Sequence, residues 1–137
     1  MLVRSLGVWE GTLMRVDLEG KVLDRCSSRL TCSVRPDGVY RQVDEYRWDD
    51  GHTETMVLVA SIGDDGLDFS TERIEGRTWQ AGPDNMLGTW SQRHDPERRT
   101  WEILTLTDED HRKARCHQHF QRGELTGFTL IDEHRAG

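Results

Sequence analysis

The 137-residue sequence has little of what marks a membrane, secreted or metal-binding protein. No stretch approaches the ~20 apolar residues that span a bilayer, and the first residues lack the long apolar run of a signal peptide. The three cysteines have no C-x-x-C spacing, which argues against a thiolate zinc site and agrees with a reducing compartment. We therefore expect a cytoplasmic protein that uses no metal or other cofactor.

An excess of basic residues is also missing. The formal net charge is −7, and arginines alternate with acidic residues, as in residues 41–47. Nucleic-acid-binding proteins usually carry a basic patch or stripe, and anionic membrane surfaces attract clusters of Lys and Arg. The charge therefore argues against nucleic acid and against a membrane surface as partners.

Turn signals, in contrast, recur along the whole chain. They lie at residues 17–20, 36–38, 49–51, 63–66, 75–76, 82–85, 95–97, 108–110 and 122–124. Glycine supplies positive φ at such positions, and Asp or Asn bonds to its own backbone. The segments between them are rich in Val, Thr, Tyr, Trp, Phe and Ile, and none has a sustained helical period. Ten strands joined by tight turns are the prediction.

Regular short strands of this kind predict an all-β protein with one domain over residues 1–137. Sequential hairpins favour a single up-and-down antiparallel β-barrel, which removes the sheet edges. A barrel of about 8–10 strands leaves room for a ligand-sized cavity. The fold therefore suggests a protein that holds a small molecule.

Residues at both ends of the chain carry a family resemblance. The first strand contains Gly7-Val8-Trp9, and the last strand ends at Arg135. These residues resemble the lipocalin-like (calycin) proteins, whose first strand carries Gly-x-Trp. The resemblance implies that Trp9 plugs one end of the barrel and that Arg135 packs across its ring, a contact worth about 0.5–2 kcal/mol.

The longer run over residues 6–23 resembles more closely a lipocalin-like family of cyanobacteria and other bacteria. That family is distantly similar to the phycobiliprotein lyases, which hold a linear tetrapyrrole in a barrel. The resemblance implies a small-molecule barrel, and no set of lyase catalytic residues can be carried over to this sequence.

The predicted strand over residues 39–48 has two very different faces, and only one of them can point into the cavity. The first face carries Tyr40, Gln42, Asp44, Tyr46 and Trp48, and the other carries Val39, Arg41, Val43, Glu45 and Arg47. Residues two apart share a face, and ligand sites need an apolar lining with a few polar groups. We predict that the aromatic face points inward, although a one-residue change of register would invert the assignment.

Four tryptophans besides Trp9 are further ligand-binding candidates: Trp48, Trp79, Trp90 and Trp101. Several indoles on the inner face would form a flat, polarisable surface suited to an aromatic or polyene ligand. Ordinary core packing is the alternative. For Trp79 and Trp90, which have polar neighbours, the two interpretations are balanced.

The sharpest polar signal is the pair His117 and His119. On one strand face, both imidazoles can transfer protons near neutral pH or bind a metal. A pair supplies only two of the three protein ligands of a catalytic zinc site, so no metal site is predicted. The alternative, which basic neighbours favour, is a solvated face continued by His111, Lys113, Arg115 and Gln121.

Three functions follow from these residues. The favoured one is binding of a small hydrophobic or conjugated organic molecule in the barrel. The second is a cofactor-independent cyclase, isomerase or lyase, with Tyr40, Tyr46, His117 and His119 as the catalytic donors. The third is haem or metal binding through His117 or His119. Whether the protein is an enzyme, which ligand it takes and whether it forms a homodimer stay open.

Overall fold

Ten antiparallel strands make up most of the computed structural model, which describes residues 1–136. A 3-10 turn, Val3–Ser5, precedes the first strand. The strands are β1 (Gly7–Val16), β2 (Val22–Val34), β3 (Tyr40–Arg47), β4 (Thr53–Ile62), β5 (Gly66–Ser70), β6 (Ile74–Gln80), β7 (Asn85–Gln92), β8 (Arg98–Thr107), β9 (Arg112–Gln121) and β10 (Glu124–Arg135). They follow chain order around a closed barrel in which β1 also pairs with β10. The predicted up-and-down antiparallel barrel is thereby confirmed.

Burial alternates along the strands because successive side chains point to opposite faces of a sheet. In β2, for example, Cys26, Ser28 and Leu30 are buried while the intervening Ser27 and Arg29 are exposed. Only one face of each strand needs to exclude water. A chain with 34% hydrophobic and 31% charged residues can therefore form this fold.

One predicted turn is wrong. Glu75 and Gly76 lie inside β6, and the chain reverses at residues 71–73, where Thr71 Oγ1 accepts the backbone N–H of Ile74 at 3.0 Å. A Cβ on Gly76 would lie 2.1 Å from the carbonyl oxygen of Thr89 and 2.6 Å from Cβ of Trp90. The glycine therefore permits close packing against β7 and does not mark a turn.

Trp9 closes one end of the barrel. It is fully buried, and its Nε1 donates a hydrogen bond to the carbonyl oxygen of Ser5 at 3.0 Å. The guanidinium carbon of Arg135 lies 4.3 Å from the centre of the Trp9 ring. Arg135 also donates to the carbonyl oxygens of Arg4 and Leu6, at 2.7 and 2.8 Å. The last strand is thereby tied to the segment that precedes the first.

Gly7 makes room for this contact. Its φ is +108°, and a Cβ there would lie 2.9 Å from Nη1 of Arg135. An L residue rarely adopts this backbone conformation. The Gly-x-Trp pattern thus has a physical basis: the tryptophan supplies the ring, and the glycine leaves space for the guanidinium that stacks on it.

We expect Arg135→Met to lower the free energy of unfolding by about 2 kcal/mol, because a cation–π contact and three hydrogen bonds to backbone carbonyl oxygens are lost. Urea denaturation followed by far-UV circular dichroism measures the change. Arg41→Met, at an exposed position of β3, is the matched control and should leave the midpoint unchanged. Equal midpoints for the two variants would contradict the role of Arg135 in closure.

Apolar side chains fill the barrel next to Trp9. The buried cluster contains Leu30, Cys32, Tyr40, Ala60, Leu67, Phe69 and Leu106, and Met1, Leu2 and Leu6 pack against it. The N-terminal segment therefore covers this end of the barrel. Among residues 1–136, no helix combines the length and the apolar character that crossing a membrane requires.

Candidate functional site

A cavity of about 500 Å³ occupies the barrel beyond the Trp9 end. This volume lies within the range of about 300–1,000 Å³ that is typical of small-molecule sites. Arg15, Trp48, Arg73 and Arg98 line the cavity at the opposite end of the barrel. The three arginines are exposed, so the cavity opens to solvent there.

The lining divides into two chemically different walls. Strands β4 to β7 supply a mainly apolar wall, whose polar members are Glu54, Thr55, Thr78 and Gln92. Its apolar members include Met56, Leu58, Leu67, Phe69, Ile74, Met86 and Trp90. Strands β3 and β8 to β10 supply a mainly polar wall, whose apolar members are Leu104 and Ile131. Its polar members include Tyr40, Gln42, Asp44, Tyr46, Thr100, Glu102, Lys113, Arg115, His117, His119 and Thr129. The cavity can therefore receive a molecule that is apolar on one side and carries hydrogen-bonding groups on the other.

The structure turns the aromatic and amide face of β3 inward. Tyr40 Oη donates to Gln42 Oε1 at 2.8 Å, and Gln42 Nε2 donates to Asp44 Oδ2 at 3.1 Å. The other oxygen, Asp44 Oδ1, is buried and has no partner among the described residues. Burial raises the pKa of Asp44 and raises that of Tyr40 well above its ordinary value. Asp44 Oδ1 is thus a free acceptor beside the cavity.

Tyr46 and Trp48 extend this face to the open end, with ring centres 6.4 Å apart. Burial raises the pKa of Tyr46, so its hydroxyl stays a hydrogen-bond donor. Trp48 Nε1 donates to Asp24 Oδ1 at 2.9 Å, and the indole stacks on His52 at 4.6 Å between ring centres. Trp48 is therefore held in place at the rim.

Trp79 and Trp101 do not line the cavity, which corrects the prediction that both contact a ligand inside it. The inward positions of β6 and β8 are occupied by Thr78 and Glu102, so their odd-numbered neighbours point outward. Trp101 is 42% exposed, and the guanidinium of Arg77 lies 5.0 Å from the centre of the Trp79 ring. Which alternate positions of a strand face inward decides where these indoles lie, and the residue type alone does not reveal it.

Trp90 is the inward-facing tryptophan of the apolar wall. Its ring centre lies 6.2 Å from that of Phe69 and 5.3 Å from that of His117, against which it packs edge-on. It therefore joins the apolar wall to the polar wall. A flat ligand in the cavity would meet its indole.

His117 and Glu102 form a close pair on the polar wall. Nε2 of His117 lies 2.5 Å from Oε2 of Glu102, and the two side chains are 13% and 10% exposed. Burial opposes the charge on Glu102, but His117, Arg115 and Lys113 outweigh this and lower its pKa. An imidazole oriented by a carboxylate is an arrangement that can take and return a proton.

His119 stands next to this pair, 6.0 Å from His117 between ring centres. Its Nδ1 lies 3.0 Å from Thr100 Oγ1, and its Nε2 lies 2.7 Å from Thr129 Oγ1. Burial, together with the nearby charges of His117, Arg98 and Arg15, lowers the pKa of His119 to about 4. The imidazole is therefore neutral near pH 7, and both nitrogens are engaged by hydroxyl groups.

His119 leads us to expect a loss of stability in acid. Its pKa is about 4 in the folded chain and near 6.5 in the unfolded chain. Between these two pH values the unfolded chain binds more protons than the folded chain does. The contribution of neutral His119 to the free energy of unfolding is therefore complete above pH 6.5 and is lost as the pH falls to 4. Urea midpoints at pH 7 and pH 5 should therefore differ less for His119→Gln than for the wild type. The same pH dependence in His119→Gln and in His94→Gln, at an exposed position, would contradict this.

The basic face of β9 points into the barrel, so its interpretation as a solvated face is wrong. Lys113 and Arg115 are 1% and 7% exposed. Arg115 Nη2 donates to Glu133 Oε1 at 2.6 Å, and Ser28 Oγ donates to the same oxygen at 3.0 Å. Burial opposes the charge on Arg115, but Glu133, Asp44 and Glu102 outweigh it and raise its pKa.

These buried charges are candidate functional residues that the sequence analysis did not predict. Glu133 Oε2 and Arg115 Nε are buried without a partner among residues 1–136. A signal was present, because Lys113, Arg115, His117 and His119 share one parity with no apolar residue between them on that face. A strand face exposed to solvent also has polar residues at every second position. Only the partner residues on β8 and β10 distinguish such a face from a buried, charged one.

No group of three or more His, Cys, Asp or Glu side chains in residues 1–136 is arranged to hold a metal ion. His117 Nε2 is taken by Glu102, and both ring nitrogens of His119 are taken by threonines. Binding a haem iron or a metal through His119, or through Nε2 of His117, would require these bonds to break. His119 is therefore held as a hydrogen-bonding group at this wall.

A family model described as domain of unknown function (DUF3598), N-terminal, matches residues 1–137. No curated protein matches the sequence. Among solved structures, a protein with unknown function from the DUF3598 family of Nostoc punctiforme PCC 73102 aligns with a TM-score of 0.81 and 17% identity. The alignment covers 99% of this chain and 49% of the Nostoc chain, so this chain spans about half the length of that protein.

A trans-AT PKS dehydratase domain from Brevibacillus brevis also aligns, over 96% of this chain and 77% of that domain. The sequence identity is 6% and the TM-score is 0.30, so this likeness supports no conclusion. The likeness to the Nostoc protein, at 17% identity, supports the barrel fold alone.

Proposed function

Because the chain belongs to the DUF3598 family, whose N-terminal model it matches in full, and forms an open-ended barrel, we propose that it binds a small organic molecule inside that barrel. The observation that carries the proposal is the cavity of about 500 Å³ with one apolar and one polar wall. The resemblance of the first strand to lipocalin-like proteins, and more distantly to the phycobiliprotein lyases, supports the same function.

The two walls indicate what kind of molecule this is. Phe69 and Trp90 offer aromatic faces to a flat apolar body. Across the cavity, Asp44 Oδ1 is a buried acceptor without a partner. A ligand that donates a hydrogen bond to this oxygen removes the cost of leaving it unpaired. We therefore propose a partly aromatic or conjugated ligand with at least one polar group.

Native mass spectrometry, with an absorption spectrum, on protein purified from its own host is the direct test. A bound organic molecule of defined mass is the expected result. In parallel, calorimetric titration with 2-naphthylmethanol tests whether the cavity accepts a flat body with one hydroxyl group. A protein that carries no molecule and gives no saturable heat with this probe would contradict the proposal.

Trp90→Ala should weaken binding of 2-naphthylmethanol about tenfold, which corresponds to ~1.4 kcal/mol, because an aromatic face of the cavity is lost. Trp101→Ala is the matched control, since this indole is 42% exposed on the outer face of the barrel. We expect its affinity to equal that of the wild type. A similar loss in both variants would place the probe outside the cavity.

The Glu102–His117 pair supports a second candidate function, a cofactor-independent enzyme of the cyclase, isomerase or lyase kind. Such an enzyme moves a proton on a ligand that the barrel orients. The test is exchange of the methyl protons of 2-acetylnaphthalene in D₂O, followed by NMR. We expect the protein to accelerate exchange and expect both Glu102→Gln and His117→Gln to slow it about 100-fold. Rates equal to those of His94→Gln would remove this candidate.

A further inference from the structure

Lys113 occupies an unusual position for its residue type. The chain has two lysines beside sixteen arginines. Lys21 is exposed next to the turn between β1 and β2, whereas Lys113 on β9 is 1% exposed. Lysine is almost never fully buried unless it is paired with an acid. The position of Lys113 therefore calls for a physical explanation.

The ammonium group of Lys113 has few partners. Nζ donates to the carbonyl oxygen of Ser5 at 3.3 Å and lies 4.3 Å from the centre of the Trp9 ring. The buried carboxylates nearby have other partners, because Glu133 pairs with Arg115 and Glu102 pairs with His117. Within residues 1–136, Lys113 forms no ion pair shorter than 4.0 Å. Its charge is thus held by one backbone oxygen and one aromatic face.

Closure of the barrel does not require this cation. Arg135 already stacks on Trp9 and donates to the backbone of the N-terminal segment. A methionine of similar length would pack against the indole without the cost of removing a charge from water. A lysine at this position is therefore costly as a purely structural element, and a chemical role accounts for it better.

Lys113 also lines the cavity, at its deep end. Burial lowers the pKa of its ammonium to about 8; Cys32, Glu133 and Glu102 act against this shift, and Arg115 adds to it. At pH 7 roughly a tenth of such an amine is neutral, about 200-fold more than for a lysine of ordinary pKa. A desolvated, partly neutral lysine is the form that attacks carbonyl carbons.

We propose that the ligand of this cavity carries an aldehyde group on its partly aromatic or conjugated body and that Nζ of Lys113 holds it covalently as an imine. This inference rests on the proposed function and names the ligand class for the same cavity. The aldehyde and the ammonium give a protonated imine and one water molecule. Nζ forms the new double bond to carbon, and the carbonyl oxygen leaves with two of the ammonium protons, so atoms and charge balance without an oxidant or reductant.

The surroundings suit both parts of such an adduct. The imine nitrogen keeps one N–H, which can donate to the Ser5 oxygen, and its positive charge can lie against the Trp9 ring as the ammonium does now. The carbon chain would extend from the deep end along the apolar wall, past Phe69 towards Trp90. Solvent enters from the arginine-lined end, where the released water can leave.

The test uses 2-naphthaldehyde with sodium cyanoborohydride, which reduces an imine to a stable secondary amine, on the folded full chain. Intact mass and peptide mapping then count and locate the naphthylmethyl groups. We expect one group per chain at Lys113 and at least ~10-fold less label in Lys113→Met. Lys21→Arg, which removes the exposed lysine, is the matched control and should label like the wild type.

A second variant covers the case in which Lys113→Met does not fold. Lys113→Arg keeps a cation beside Trp9 but cannot form an imine, so it should stay unlabelled. Label confined to Lys21 or to the N-terminal amine of the wild type would overturn the inference. So would equal labelling of the wild type and either Lys113 variant.

2-Naphthylmethanol separates failure of this inference from failure of the proposed function, because it has the same ring system and no carbonyl carbon. If the alcohol binds and protects Lys113 from labelling, both proposals are supported. If the alcohol binds and the aldehyde leaves Lys113 unlabelled, the cavity function stands and the imine is overturned. If neither compound binds or labels, both proposals fail.

Discussion

Replacing Gly11 with alanine should cost at least about 3 kcal/mol of folding free energy and is expected to have one of the largest effects of any substitution in the chain. A Cβ at this position would lie 1.8 Å from the carbonyl oxygen of Asp132 and 2.8 Å from Cα of Glu133. These are backbone atoms of β10, which cannot move aside as a flexible side chain can. The strand pairing that closes the barrel must therefore shift.

Guanidinium chloride denaturation followed by circular dichroism measures this cost. Gly63→Ala is the matched control, because the nearest atom to a Cβ there is 3.7 Å away. We expect Gly63→Ala to stay within about 0.5 kcal/mol of the wild type. Gly11→Ala with the midpoint of the wild type would show that β1 and β10 are not packed as described.

Gly11 also connects closure of the barrel to the polar wall. On β1 it pairs with Ser28 of β2 on one side and with Glu133 of β10 on the other. Because glycine has no side chain, Ser28 Oγ and Glu133 Oε1 come within 3.0 Å of each other across β1. The same glycine thus permits both the pairing of β1 with β10 and the buried hydrogen bond that holds Glu133.

The fold was predictable because its determinants are local. Turn residues at short intervals and the alternation within each strand define ten strands and their antiparallel order. The face of β3 that carries Tyr40 and Tyr46 could also be predicted, since one of its two faces is mostly charged. The prediction of a turn at Glu75-Gly76 failed because glycine occurs both in turns and where two strands pack closely, and sequence alone does not distinguish these positions.

The polar wall was less predictable because its partners are distant in the chain. Arg115 pairs with Glu133 on the next strand, and Glu133 in turn meets Ser28, which is 105 residues away. When the register of β9 and β10 is unknown, the row of charged side chains on β9 cannot be told from a face exposed to solvent. The prediction that Trp101 lines the cavity failed for a related reason, because an indole can lie on either the inner or the outer face of a barrel.

Arg115→Met should also be severely destabilising, by about 3–5 kcal/mol, because it leaves buried carboxylates without their cation. The side chains of Arg115 and Glu133 are buried, and Asp44 and Glu102 also interact with the guanidinium. Urea denaturation of the single variants Arg115→Met and Glu133→Met and of the double variant gives the coupling energy. We expect the double variant to be more stable than Arg115→Met alone, since it no longer buries the unpaired charge of Glu133.

Arg112→Met is the matched control for this cycle. Arg112 lies on the same strand and donates to Asp132 at 2.8 Å, but both side chains are more than half exposed. Solvent screens such a pair, so its loss should leave the midpoint nearly unchanged. If Arg115→Met and Arg112→Met were equally mild, or if the costs of the single variants simply added in the double variant, the buried pair would not hold the polar wall in place. Asp44, Glu102 and His117 would then lack the fixed geometry on which a binding or proton-transfer site depends.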